Sequence, residues 1–215
     1  MKDVTKVWLR IYTVADIEAN YYNFPDYEKF DFWKARHRDL NEEELIVAYN
    51  QTAHLVPEFS TITWVAVAVD NDKVEIIYWN EQTVLSTLDN ILESIQLWSA
   101  DKDIVLCWWN LYNFDIPFLW KRMMIRWIRP NSLLRIAQIK SREINNYIRD
   151  VNKVWKQTAN WAELPLLIYD IFNEKAEGDP YWPLNFEWML QKTRELWIYF
   201  ENVFSRKIEV KKPND

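Results

Sequence analysis

Glycine is almost missing from this chain. One residue, Gly178, stands among 215, where ordinary usage of about 7% would supply roughly 15. A chain with one glycine has no glycine-rich phosphate loop and no dinucleotide-binding turn, because both bring backbone close to phosphates where a Cβ would clash. Turns and helix ends that ordinarily use glycine at positive φ must use other residues. Asn and Asp tolerate that geometry best among the rest, and they stand ready in Asp70-Asn71-Asp72 and Pro130-Asn131. Cysteine is equally scarce. Cys107 is alone, which excludes an internal disulfide framework and a thiolate zinc site; set in an apolar run, it reads as a core residue. His37 and His54 have no ligand partner at metal-binding spacing and read as surface residues. No apolar run reaches the ~18 residues of a membrane span. MKDVTKVWLRIY, at the start, is too charged for a signal peptide. A cytoplasmic protein with no membrane partner is the expectation.

What is present is 49% hydrophobic and 27% charged, the balance of a globular protein. The length suits one domain, placed here over residues 1–210, with 211–215 as a loose tail. Tryptophan is abundant, with 14 residues against the one glycine. So biased a composition is compatible with a redesigned sequence. The net charge of −6 argues against a broad electrostatic grip on nucleic acid. One span runs against that balance: Arg122, Arg126, Arg129, Arg135, Lys140 and Arg142. A weak contact to single-stranded nucleic acid through Arg122, Arg126 and Arg135 is one reading of it, and a solvated helix face is the other.

Val7 to Val14 is rich in β-branched and aromatic residues and predicts a buried strand. Asn20 to Asp39 predicts loop and a short helix. Glu42 to Asn50 predicts a helix entered through Asn41, a good N-cap. Ile62–Asp70 and Val74–Asn80 flank a polar turn and predict a hairpin. Gln82 to Trp98 carries apolar residues at helical spacing on one face. Ile104 to Asn110 is a continuous apolar run and predicts a central strand. A helix follows over Ile116 to Ile128, with Pro117 tolerated in its first turn. Further helices are expected near Leu133–Gln138, Trp161–Phe172 and Phe186–Phe204. If the strands ending near Asn80 and Asn110 are parallel, the helix between them makes a right-handed crossover. The fold class is α/β, a mixed sheet covered by helices.

Trp108-Trp-Asn-Leu-Tyr-Asn-Phe-Asp115-Ile-Pro-Phe-Leu, with Pro130-Asn-Ser-Leu-Leu-Arg135, Asp150-Val-Asn-Lys-Val-Trp-Lys and Asn160-Trp-Ala-Glu-Leu-Pro-Leu-Leu, carries a resemblance. The chain resembles the predicted 3′–5′ exonuclease domains related to the proofreading domain of family B DNA polymerases. The likeness covers nearly the whole chain and implies a ribonuclease H-like fold, a mixed sheet flanked by helices. It also implies a chemistry. Family members use four carboxylates to hold two divalent cations about 3.5–4 Å apart, which clamp the attacking and leaving oxygens of a phosphodiester. Hard cations such as Mg²⁺ take their oxygen ligands from Asp and Glu.

This chain departs from that pattern. The family's Asp-Ile-Glu-Thr aligns with Arg10-Ile11-Tyr12-Thr13, so that an arginine and a tyrosine stand for two carboxylates. A second register, Asp16-Ile17-Glu18, keeps both acids; the strand pattern and Thr13-Val14 favour the first. Asn110 and Asp115 retain the second motif. Their alternative reading is a turn and a helix N-cap region. Trp108 and Trp109 replace the small residue and histidine expected just before them, and two indoles there would fill the cleft unless one serves as a stacking platform. The third motif, Tyr-x-x-x-Asp, aligns with Met189 to Thr193 and loses both named residues.

Three functions remain open from these residues. The first is an inactive shell of an exonuclease with no metal cofactor. The second is an active Mg- or Mn-dependent 3′–5′ exonuclease on single-stranded DNA that uses Asp16, Glu18 and Asp115. The third is a binding module whose Trp, Tyr and Arg residues engage a protein partner or a second copy.

Overall fold

The first strand, β1 (Val4–Ala15), is buried at seven of its twelve positions, Val7 to Ile11 without a break, as its run of large apolar residues demands. It belongs to a computed structural model that describes residues 3–15, 29–108, 111–134, 148–150, 168, 171–174 and 186–204. Along one edge β1 pairs antiparallel with β2 (Ser60–Val69), and β2 pairs antiparallel with β3 (Glu75–Tyr78). Along its other edge β1 pairs parallel with β4 (Asp103–Trp108), and β4 pairs parallel with β5 (Ile148–Asp150). The five-stranded order is β3-β2-β1-β4-β5. This is the ribonuclease H-like mixed sheet with flanking helices that the resemblance implied. β3 and β4 run parallel, as the crossover reading required, and are separated by β2 and β1.

The predicted hairpin forms, and its turn shows how the chain manages without glycine. Asp70 takes φ 44°. Its amide donates to the Lys6 carbonyl at 2.7 Å, and its Oδ1 accepts from the Lys6 amide at 2.8 Å. A residue at positive φ thus also closes the end of the β1–β2 ladder. Asn131 works differently: its Oδ1 accepts from the Leu133 amide at 2.9 Å, a side-chain turn.

Helix α1 (Phe30–Arg36) and helix α2 (Glu42–Thr52) sit over a satellite core of Trp33, Leu45, Tyr49, Ala53 and Phe59. Asn41 caps α2 in a full capping box with Glu44, two backbone donors satisfied reciprocally. Trp33 Nε1 donates to the Leu45 carbonyl and Tyr49 Oη to the Phe59 carbonyl, so the polar tips of both buried rings are satisfied. Contrary to the surface reading, His37 and His54 are partly buried. His37 packs on Trp33 with ring centroids 4.3 Å apart. Burial pushes the His54 imidazole below its ordinary pKa, since the charged form loses water.

Helix α3 (Glu81–Trp98) presents Val84, Leu85, Leu88, Leu92 and Ile95 to the sheet core, the 3.6-residue stripe read from the sequence. Cys107 is fully buried in that core. Helix α5 (Phe186–Phe204) packs mainly on β2 among the strands. Helix α4 (Asp115–Ile125) carries Pro117 in its first turn, where a backbone N–H has no intrahelical partner in any case.

α4 ends three residues earlier than its pattern suggested. The Ile128 amide bonds the Met123 carbonyl at 2.9 Å and the Trp127 amide bonds the Met124 carbonyl at 3.1 Å, the paired bonds of a Schellman ending. Trp127 occupies the left-handed position with φ 57°, where glycine ordinarily sits. Its side chain is 96% exposed, so little packing offsets the left-handed cost of roughly 1–2 kcal/mol. Trp127→Gly is therefore expected to raise stability by about 1 kcal/mol, measured as a rise in the urea midpoint at unchanged slope. An unchanged or lowered midpoint would show that the indole has a stabilising contact.

Candidate functional site: the middle of β1

Arg10 and Tyr12, two residues apart on β1, share one face of the sheet. Arg10 pairs with Ala66 of β2, and Tyr12 with Trp64. Arg10 is 3% exposed. Its guanidinium carbon lies 5.3 Å from the ring centroid of Trp108, a cation–π distance. Trp108 ends β4 and is fully buried. The ladder shifts between Tyr12 and Thr13, where Thr13 pairs with Ile62 and skips Thr63. A bulge of this kind re-aims side chains and often lies beside a site. Tyr12 opens an aromatic row: it faces Trp64, and Trp64 stacks on Tyr78 of β3 with centroids 4.9 Å apart and planes 26° from parallel. Cross-strand neighbours of this sort stabilise a sheet. Sequence reading missed the row, because Tyr12, Trp64 and Tyr78 come from three strands well apart in the chain.

Asp115 is the first residue of α4 and is fully buried. It does not cap its own helix; the N-cap is Phe114, which makes no side-chain cap bond. Its Oδ1 accepts instead from the Ile11 amide at 3.1 Å. The carboxylate is thereby held against the backbone between positions 10 and 12. The structure thus gathers Arg10, Tyr12, Trp108 and Asp115 around the middle of β1. Thr193 is also fully buried, but its hydroxyl donates to the Met189 carbonyl of its own helix at 2.8 Å. The next residue, Arg194, donates to the Asp72 carbonyl in the β2–β3 turn. Asp16, Glu18, Trp109, Asn110 and Arg135 lie outside the described residues.

The reading of Arg122 as a nucleic-acid contact needs correction. Arg122 is 3% exposed, and three of its nitrogens are engaged. Nε donates to Glu81 Oε1 at 2.7 Å, Nη2 to Glu81 Oε2 at 2.5 Å, and Nη1 to the Pro57 carbonyl at 2.6 Å. Arg126 Nε donates to the same Glu81 Oε2 at 2.5 Å, with its side chain 44% exposed. Phosphate cannot reach a buried guanidinium whose donors are already bound to a carboxylate and a carbonyl. Glu81 itself escaped the sequence reading. It is buried, and its Oε1 also accepts from the Ile62 amide at 2.8 Å. Burial alone would raise this carboxyl, but the Arg122 bonds, the Ile62 amide and Arg126 outweigh it and hold it below the ordinary carboxylate value. The one signal was an acid directly after Asn80, which caps α3 by accepting from the Thr83 amide.

A two-metal centre needs several carboxylates converging on one point. Among the described residues, no three of His, Cys, Asp and Glu converge in a way that could hold a metal ion. Among the described motif positions the one carboxylate is Asp115, bound to the strand that carries Arg10. One carboxylate beside a permanent cation does not by itself fit a pair of divalent cations. Nor is any helix among the described residues long and apolar enough to cross a membrane.

No family model and no curated protein matches the chain. Among solved structures it is similar to a family B DNA polymerase from the hyperthermophilic archaeon Pyrobaculum calidifontis, at 11% identity and a TM-score of 0.52. The likeness covers 93% of this chain and 24% of the polymerase chain, so this chain spans about a quarter of that polymerase. At such low identity the likeness speaks for the fold, which this chain shares with one part of a family B polymerase.

Proposed function

We propose that this chain is a non-catalytic, exonuclease-like domain whose metal centre has been replaced by packing. The observation that carries the reading is the buried Arg10 guanidinium set over Trp108 at the first motif. A guanidinium stays charged at every physiological pH and repels the cations that the chemistry requires. Tyr12, at the second carboxylate position of that first motif, joins an aromatic row in place of a ligand. Asp115 persists as a structural acceptor for the β1 backbone.

The test is metal-dependent stabilisation. A ligand that binds only the folded state raises its stability, by about 2.7 kcal/mol at a hundred times its Kd. For a chain of this size that would move the Tm by roughly 5–10 °C. Millimolar Mg²⁺ or Mn²⁺ is expected to move it by less than about 1 °C, with no EDTA-sensitive release of nucleotides from a labelled single strand. A clear upward shift together with such release would overturn the reading and return Asp16 and Glu18 to the first motif.

A further inference from the structure

Away from β1, a cleft of about 580 Å³ opens between α1, the 3₁₀ turn Pro57–Phe59 and the end of α4. It is lined by Phe32, Phe59 and Ile125, with Lys29, Arg36 and Glu58 also in its wall. The size suits a bound side chain or two, and the lining is that of an apolar pocket with a few polar groups. Phe32 is 70% exposed, which is unusual for a large ring on a helix that has a core beneath it. Lys29, Phe32 and Arg36 fall at helical spacing, so cation, ring and cation form one stripe facing the cleft.

The charge around this cleft opposes that of the chain. Its charged lining is two cations, Lys29 and Arg36, against one carboxylate, Glu58, in a protein of net charge −6. Glu58, the acid in the wall, is paired with Lys121 at 3.6 Å. Arg36 makes no ion pair among the described residues. The apolar surface also continues past the cleft: Met124, Ile125 and Trp127 are all exposed at the end of α4, and Trp127 is held there in a left-handed conformation that glycine would adopt at lower cost. Strain of that kind, retained at an exposed aromatic residue, points toward a contact. A small ligand confined to the cleft would leave that helix end uncovered.

We propose that this face docks an acidic, amphipathic segment of a partner protein. A bulky apolar side chain of the partner enters between Phe32, Phe59 and Ile125, and its carboxylates face Arg36. The mode is a helix in a groove, with apolar anchors giving affinity and charge giving orientation. The inference stands whether or not the chain cleaves nucleic acid, because none of Arg10, Tyr12 and Asp115 lines the cleft.

The test uses two fluorescein-labelled synthetic helical peptides with the same leucine and tryptophan anchors. One carries glutamate at its remaining exposed positions, and the other carries lysine at those positions. By anisotropy at low salt the glutamate peptide is expected to bind in the micromolar range and the lysine peptide about tenfold more weakly or worse. Added salt should weaken the glutamate peptide. Phe32→Ala is expected to weaken it by about tenfold and Arg36→Glu by about fivefold, with thermal melts unchanged because both side chains are exposed. Equal binding of the two peptides, no binding of either, or full affinity in both variants would overturn the proposal. So would a concentration-dependent dimer abolished by Arg36→Glu, which would make a second copy the occupant. Displacement of the peptide by an equimolar thymidine oligonucleotide would also overturn it, in favour of nucleic acid.

Discussion

Glutamine in place of Glu81 is expected to cost the fold about 3–5 kcal/mol, a large part of the ~5–15 kcal/mol that holds a domain together. Four donors converge on this carboxylate from two parts of the chain: the Ile62 amide on β2, and two nitrogens of Arg122 with Arg126 Nε at the end of α4. The substitution keeps the shape and removes the charge, leaving the Arg122 guanidinium buried with its countercharge gone. Such an orphan is costlier than the pair was worth. The double variant Glu81→Leu, Arg122→Met removes both charges and should be less destabilised than Glu81→Gln alone, because matched apolar groups can replace a buried ion pair at little cost. Urea midpoints measure both. A cost under ~1 kcal/mol for Glu81→Gln would place the cluster with weak surface pairs. The pH dependence has a definite sign. The folded-state pKa of Glu81 lies below its ordinary 4.5, so its contribution is fully present above that value and is lost as pH falls through the depressed one. The gap between wild type and Glu81→Gln should therefore narrow only below about pH 4.5.

Restoring the missing acids will not restore a nuclease. Arg10→Asp, Tyr12→Glu and Thr193→Asp together are expected to give a protein destabilised by several kcal/mol with no more than trace digestion. Arg10→Asp removes the cation over Trp108 and sets a second carboxylate close to where Asp115 is bound to the Ile11 amide. Thr193→Asp puts a charge on the fully buried face of α5, where an unpaired anion is strongly penalised. Sequence reasoning suggests adding Trp108→Gly and Trp109→His to open the cleft. The burial of Trp108 changes what the first of these would do. Trp108 is fully enclosed in the main core, so glycine there leaves a cavity worth roughly 3–5 kcal/mol as well as any path for substrate. The five-residue variant is expected to fall near the limit of folding. Release of nucleotides from a labelled single strand, with and without EDTA, decides the matter. EDTA-sensitive digestion by the three-residue variant would show that Trp108 and Trp109 obstruct nothing.

Where local chemistry decides structure, the sequence was readable. The Asn41 cap, the stripe on α3, the Asp70 turn and Pro117 at the start of α4 each depend on neighbours within a few residues. The fold class, a mixed sheet flanked by helices, followed from a resemblance whose most specific stretch includes Asn110 and Asp115. What escaped was set by long-range pairing. Glu81 meets Arg122 across 41 residues and Ile62 across 19, and no periodicity encodes that meeting. Arg122 was misread because a run of cations looks the same whether its members face water or a buried acid. The end of α4 was misread because Trp127 stands where only a glycine would have signalled a left-handed stop. The bulge at Thr63 leaves no mark in composition, yet it shifts the β1–β2 pairing from Thr13 onward.

The central place of β1 has a kinetic consequence. Its antiparallel partner begins only at Ser60, and its parallel partner only at Asp103. During synthesis, a strand of large apolar residues therefore emerges before both of its partners and keeps one open edge until Trp108 has left the ribosome. Pairings so distant along the chain impose a high contact order, and chains of that kind fold slowly. For as long as β4 is missing, Val4–Ala15 is an unpaired template for other strands. The period of greatest aggregation risk thus falls in translation, before the sheet can close.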